Sequence, residues 1–205
     1  GAIFFPDAFF QGLKSLVIPY AGYFHILARF VAWLGSLLPV RYVPHWYEFA
    51  SWLLLVGIIV YIFSRRFPFG GGLKLLLGLA LVATTAANEV FFNLANWAFL
   101  CSFFWLLLSF SSEPQSRGQS LFDVFLLTLA GLNTPFVVCL WPLFLLRWGI
   151  RRTRHSLILF GLSLIVAAIQ FWNMPGRIEA GGMIPAMSRT FADVLIYRFG
   201  FIFLG

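Results

Sequence analysis

Apolar residues fill this chain in runs, and the polar positions that interrupt the runs divide it into segments. Through residue 45 the apolar stretches are short, broken by Pro6, Asp7, Lys14, Pro19, His25, Arg29, Pro39, Arg41 and Pro44. That pattern predicts a structured loop with one or two interfacial helices rather than a membrane span. The first span is expected over 47–63, entered through Pro44, whose missing N–H costs little near a helix start. It closes at Ser64-Arg-Arg66, and Pro68-Phe-Gly-Gly-Gly72 follows as a turn. Residues 73–110 form a long apolar stretch interrupted by Ala87-Asn-Glu-Val-Phe-Phe-Asn-Leu-Ala-Asn-Trp97, and 120–148 is interrupted at Leu132-Asn-Thr-Pro135. Residues 156–173 make a further span, and a last one starts near Phe191.

One stretch, 17–38, has the periodicity of a helix but carries His25 and Arg29. At helical spacing Gly22, His25, Arg29, Ala32 and Ser36 share a small or polar stripe, while Phe24, Leu27, Val31, Leu34 and Leu38 fall elsewhere. A cation at the bilayer centre costs roughly 2.5–3.5 kcal/mol even on the lenient insertion scale. The expectation is an amphipathic helix in the interface, its polar stripe toward water or a cavity.

Composition fixes the class. The chain is 61% hydrophobic and 10% charged, with a mean hydropathy of +0.91, more apolar surface than a soluble core of this size requires. Its net charge of +7 resides mostly in short connections, where topology explains it better than nucleic acid does. The basic connections are 64–74, 111–119 and 147–155. For all three to share the cytoplasmic side, 73–110 and 120–148 must each cross twice, in halves of about 14–17 residues, roughly 21–26 Å of helix. Short broken helices are tolerated where their ends are buried in protein or line a cavity.

The expected fold is therefore all-α: a polytopic transmembrane bundle with short broken helices and an outer interfacial amphipathic helix. Residues 1–45 form the outer loop, and 46–205 a membrane region of about six crossings plus the start of another. Because the chain begins at Gly1 and stops inside an apolar run, a fragment of a longer membrane protein is expected. Cys101 and Cys139 lie in apolar helices with no metal or disulfide spacing, and read as packing residues.

On this topology Asp7, Glu48, Glu89, Glu179 and Asp193 are outer, and only Glu113 and Asp123 are inner. Glu89, Asn93 and Asn96 stand at i, i+4 and i+7, on one helical face. Glu89 is then either a cavity carboxylate or a solvated acid at a helix start capped by Asn88. His25 and Arg29, at i and i+4, suit an anion such as a phosphate, with Tyr20 and Tyr23 as stacking surfaces; the competing use is snorkelling to lipid headgroups. Asp7 is a loop acid or a helix cap. Gln170 and Asn173 suit helix-to-helix contact, and the 147–155 run suits topology and anionic lipid. No nucleotide-binding loop, His-Glu-x-x-His, Gly-x-Ser-x-Gly or Cys-x-x-Cys occurs.

Three stretches, Pro19-Tyr-Ala-Gly-Tyr-Phe-His-Ile-Leu-Ala-Arg29, Asn88-Glu-Val-Phe-Phe-Asn-Leu-Ala-Asn-Trp97 and Leu129-Ala-Gly-Leu-Asn-Thr-Pro-Phe136, resemble bacterial members of the GT-C glycosyltransferase superfamily, related in plan to protein mannosyltransferases and aminoarabinose transferases. The resemblance implies a multi-pass protein of the bacterial inner membrane, active face outward. It would move a sugar from a polyprenyl-phosphate donor to an acceptor, among membrane lipids and without nucleic acid.

It also implies Asp7 and Glu89 as catalytic acids, with Tyr20, Tyr23, His25, Arg29, Asn93 and Asn96 around the substrate; a divalent metal is the one cofactor left open. The family's acidic motif follows its first membrane helix, and residues 1–45 hold no paired acid, so that motif is expected upstream of Gly1. The competing classes are a transporter or flippase for a lipid-linked or anionic substrate, which would place polar groups near the midplane, and a non-catalytic membrane subunit.

Overall fold

A computed structural model of the chain describes residues 3–85 and 94–173. Among the described residues the fold is all-helical, and the single departure is an isolated antiparallel bridge between Tyr20 and Tyr23. The helices are α1 (Phe4–Gln11), α2 (Ile26–Ser36), α3 (Val43–Phe63), α4 (Gly71–Thr85), α5 (Trp97–Phe110), α6 (Arg117–Gly131), α7 (Val137–Arg151) and α8 (Arg154–Asn173), with short 3-10 turns at Gly12–Val17, Val40–Tyr42 and Leu94–Asn96.

Two helical stretches, Val40–Phe63 and Arg154–Asn173, are long and apolar enough to cross a membrane. Pro44 stands in the first turn of α3, where the sequence put a helix start. Of the two overlong stretches, 120–148 is broken as expected. Residues 71–110 give α4 and α5, with the expected break at Asn88 outside the described residues, and 117–151 gives α6 and α7 about a turn at 132–136. At 14 to 15 residues each, α5, α6 and α7 are about 21–23 Å long, short of a hydrocarbon core of roughly 30 Å.

The core lies where α5 meets α6 and α7, and where α8 packs along α6 and α7. Trp105, Leu127, Phe144 and Leu159 are fully buried there. Because a buried indole N–H must find an acceptor, Trp105 donates to the Leu127 carbonyl at 2.7 Å, and Trp97 to Ser51 Oγ at 3.1 Å.

The helix expected across 17–38 begins only at Ile26. Pro19 holds Ile18 extended (ψ 117°). Ala21 (φ 58°) and Gly22 (φ 82°) then occupy the left-handed region, which closes a two-residue turn with Tyr20 and Tyr23 paired through both backbone hydrogen bonds. Gly22 and Tyr23 therefore do not share the helix of Arg29, and the predicted polar stripe is reduced to Arg29, Ala32 and Ser36. Of the two surroundings expected for it, water is excluded. His25, Arg29 and Ala32 are at most 1% exposed, so the stripe faces the protein and not water.

Candidate functional site

The first turn of α2 presents orphan N–H groups, and distant parts of the chain supply their acceptors. Ile26 N donates to the Leu132 carbonyl at 3.3 Å, and Ala28 N to Asn133 Oδ1 at 3.1 Å. Asn133, fully buried, also donates through Nδ2 to Cys101 Sγ at 3.3 Å. Gln170 of α8 accepts from Phe24 N at 2.9 Å and donates to the Gly131 carbonyl at 3.0 Å. The break between α6 and α7 is thus the socket for the start of α2, and Gln170 makes the inter-element contact its position suggested. Asn173 instead donates to the Ile169 carbonyl of its own helix.

Seated this way, α2 packs against α1 and brings Arg29 to Asp7. Arg29 Nη1 donates to Asp7 Oδ2 at 2.9 Å, with Arg29 1% and Asp7 29% exposed. The guanidinium also lies over the Phe4 ring at 5.0 Å, a cation–π contact. Asp7 is on helix α1 and not in a loop, with one carboxylate oxygen on Arg29 and its side chain open to the surface.

His25 stands beside this pair, fully buried among the rings of Tyr23 (4.1 Å), Phe4 (5.2 Å) and Tyr20 (5.6 Å). Neither ring nitrogen reaches a hydrogen-bond partner. Burial, and then the charge of Arg29, depress its pKa from 6.5 to about 4; the Tyr20 backbone, outside hydrogen-bonding geometry, opposes the shift. A neutral imidazole does not serve as the second cation of an anion clamp. Arg29 is committed to Asp7 and sealed from the surface, so the sequence assignment of both residues to a phosphate is revised. Arg29 positions Asp7, and His25 fills an aromatic box.

Of the remaining sequence-named site residues, Glu89 and Asn93 lie outside the described residues. Asn96 is half-buried, in the 3-10 turn that leads into α5. Tyr20 and Tyr23 flank His25 from their turn. Among the described residues no three His, Cys, Asp or Glu side chains gather in a metal-binding group.

The three basic connections converge at the opposite end of the bundle. Arg66 makes two hydrogen bonds to Asp123, Nη2 lying 2.8 Å from Oδ2, and donates to the Ser112 carbonyl at 2.8 Å. The bonds to Asp123 hold its guanidinium charged, with a pKa above the usual arginine range. Arg147, 4% exposed, donates to the carbonyls of Leu108 (2.7 Å) and Ser111 (2.8 Å) and to Glu113 (3.1 Å). It thereby closes the orphan C-terminus of α5. Arg151 and Thr153 add to Glu113. Glu113 and Asp123 are the nodes of this end, and Arg66, Arg147 and His155, read from sequence as topology and lipid charges, are tied into the protein. Arg152 and Arg154 remain exposed.

His155 bridges Asp123 (3.0 Å) and Ser120 Oγ (2.9 Å), the order of a serine relay. Arg66 grips both oxygens of that carboxylate, so the array reads as a structural tie.

Comparison with protein family models, with curated proteins and with solved structures finds no match to this chain.

Proposed function

We propose that this chain is a polytopic membrane glycosyltransferase that takes a sugar from a polyprenyl-phosphate donor and transfers it on the outer face of the membrane. One observation carries the reading: a surface-accessible carboxylate, Asp7, is held by a sealed arginine at the end of the bundle opposite the basic connections. If those connections are cytoplasmic, Asp7 stands at the outer membrane boundary, where a lipid-linked sugar presents its anomeric carbon.

In this mechanism an acidic side chain takes the proton of the acceptor hydroxyl as its oxygen attacks the anomeric carbon, and the lipid phosphate leaves with the bonding electrons. Arg29 fixes one oxygen of Asp7, which leaves Oδ1 to face the acceptor. Glu89 is the second acid assigned to the same face.

The test is transfer of a radiolabelled sugar from a polyprenyl-phosphate donor panel by the full-length protein in membrane vesicles. Asp7→Asn and Glu89→Gln are compared with wild type, with detergent-extracted thermal stability as the folding control. Loss of a general base lowers the rate by about 10²–10⁴-fold, and that is the expected outcome for at least one of them. Wild-type transfer by both variants would overturn the site assignment.

A further inference from the structure

The helical pair that carries Asp7 is apolar on two sides. Phe4 and Ala8 of α1 are buried toward α2, which needs no further explanation. On the other side Phe9 and Phe10 are 60% and 81% exposed, and Leu13 and Val17 of the following 3-10 turn are 57% and 65% exposed. The rings form one group, with Phe5 stacked on Phe9 at 6.1 Å and Phe9 edge-on to Phe10 at 5.4 Å. Two charges occur in this segment: Asp7, turned to Arg29, and Lys14, exposed beside the apolar group.

The location of this surface decides what covers it. Phe24 is bonded to Gln170 and Ile26 to Leu132, which fixes the start of α2 at the end of α8 and at the α6–α7 turn, and α1 and its following turn pack on α2. Trp172, on the same last turn of α8 as Gln170, is 83% exposed, as an indole anchoring at the headgroup level would be. Further along, α8 exposes Ile158 and Ile165, and α3 exposes Val56 and Val60, the rows that face lipid if these two helices span.

We infer that Phe9, Phe10, Leu13 and Val17 form a wedge that lies in the bilayer interface at this end of the bundle, with Lys14 reaching the lipid phosphates. An apolar group flanked by one exposed cation, with Asp7 paired to Arg29, matches an acyl boundary beneath anionic phosphates. This inference rests on the membrane reading above and not on sugar transfer. Its consequence is positional: Asp7 lies two residues before Phe9 on the same short helix, so the depth of the wedge sets the carboxylate at the level of lipid phosphate groups. The sequence had assigned the interfacial role to the 17–38 stretch; with the His25, Arg29 and Ala32 stripe of that stretch buried, the wedge places the role on α1 and the turn that ends at Val17.

The test is site-directed spin labelling of the full-length protein reconstituted in phosphatidylcholine vesicles containing phosphatidylglycerol, in a Cys101→Ser, Cys139→Ala background. Labels are placed through Phe10→Cys, Leu13→Cys, Val60→Cys, Ile165→Cys and, as the aqueous reference, Arg152→Cys. At Phe10 and Leu13, collision with oxygen should exceed collision with a water-soluble nickel chelate severalfold, the reverse of the ratio at Arg152.

Nickel-dominated collision at Phe10 and Leu13, with oxygen-dominated collision at Val60 and Ile165, would overturn the wedge and leave the membrane reading standing. Low access to both reagents would overturn it too, by showing a protein segment over the patch. Nickel-dominated collision at Val60 and Ile165 would instead overturn the membrane reading itself.

Discussion

Gly131 packs tightly between α8 and Trp105 of α5, and replacing it with alanine measures how rigid the junction beneath the α1–α2 pair is. A Cβ there would lie 2.6 Å from Val166 Cγ1 and 2.8 Å from Trp105 Cζ2. Neither neighbour can give way cheaply. Val166 is 1% exposed and Trp105 fully buried, its indole N–H bonded to the Leu127 carbonyl and its ring edge-on to Phe144 at 5.1 Å.

Overpacking of this kind costs about 1–3 kcal/mol. Any separation of α6 from α8 also stretches the bond from Gln170 to the Gly131 carbonyl, worth about 0.5–1.5 kcal/mol. The helix-propensity gain of alanine over glycine, about 0.5–1 kcal/mol, opposes this and is smaller at a helix end. The net expectation for Gly131→Ala is a loss of about 1–3 kcal/mol. At about 2–4 °C per kcal/mol for a chain of this size, the unfolding midpoint falls by roughly 2–12 °C.

Gly149→Ala is the matched control, since nothing lies within 4 Å of its Cβ position inside α7. It should leave the midpoint unchanged or raise it. The assay is thermal unfolding of the full-length protein in mild detergent. A Gly131→Ala midpoint at or above wild type would refute the close packing of α6 on α8.

Asn133→Ala should cost about 1–3 kcal/mol in the same assay, because it leaves the Ala28 N–H buried without an acceptor; an unchanged midpoint would show that water or another group serves that N–H. Arg147→Met removes the guanidinium from the Leu108 and Ser111 carbonyls, of which Leu108 keeps the Ser111 hydroxyl, and should cost about 1.5–3 kcal/mol, the range for charge-assisted hydrogen bonds. The loss should shrink when Glu113→Gln is already present. His25, with its pKa depressed from 6.5 to about 4, binds its proton in the unfolded chain before the folded one. Its stabilisation is complete above pH 6.5 and is lost as the pH falls toward 4, by at most about 3 kcal/mol at 1.36 kcal/mol per pH unit. Unfolding midpoints between pH 7 and 4 should therefore fall less in His25→Phe than in wild type, and parallel curves would show that His25 is protonated without penalty.

Several features were legible in the chain because they depend on neighbouring residues. Pro44, the Ser64-Arg-Arg66 stop and the 132–135 break mark helix ends through local sterics and hydrogen-bond supply, and the helices start and stop near them. The error over 17–38 was local as well. Apolar spacing was read through Pro19 and Ala21-Gly22, where an extended residue and two left-handed residues end any helix. An Ala-Gly pair two positions after proline was the available signal. The candidate site was only half visible. The acid and the arginine could be named, but their pairing spans 22 positions and needs a turn that no periodicity describes.

By itself the sequence determined that the chain is helical, apolar beyond the needs of a soluble core, and broken at particular prolines and polar turns, since each property follows from composition or short-range sterics. Only the tertiary structure decided which charges are sealed and which are free. Arg29 and Arg147 are arginines in apolar surroundings, like those a sequence reader sends to water or lipid. Both are buried because partners far along the chain, Asp7 for one and the end of α5 for the other, meet them with oxygens. Desolvation makes an unpaired buried cation too costly, so the fold that supplies the oxygens also sets the role of the residue.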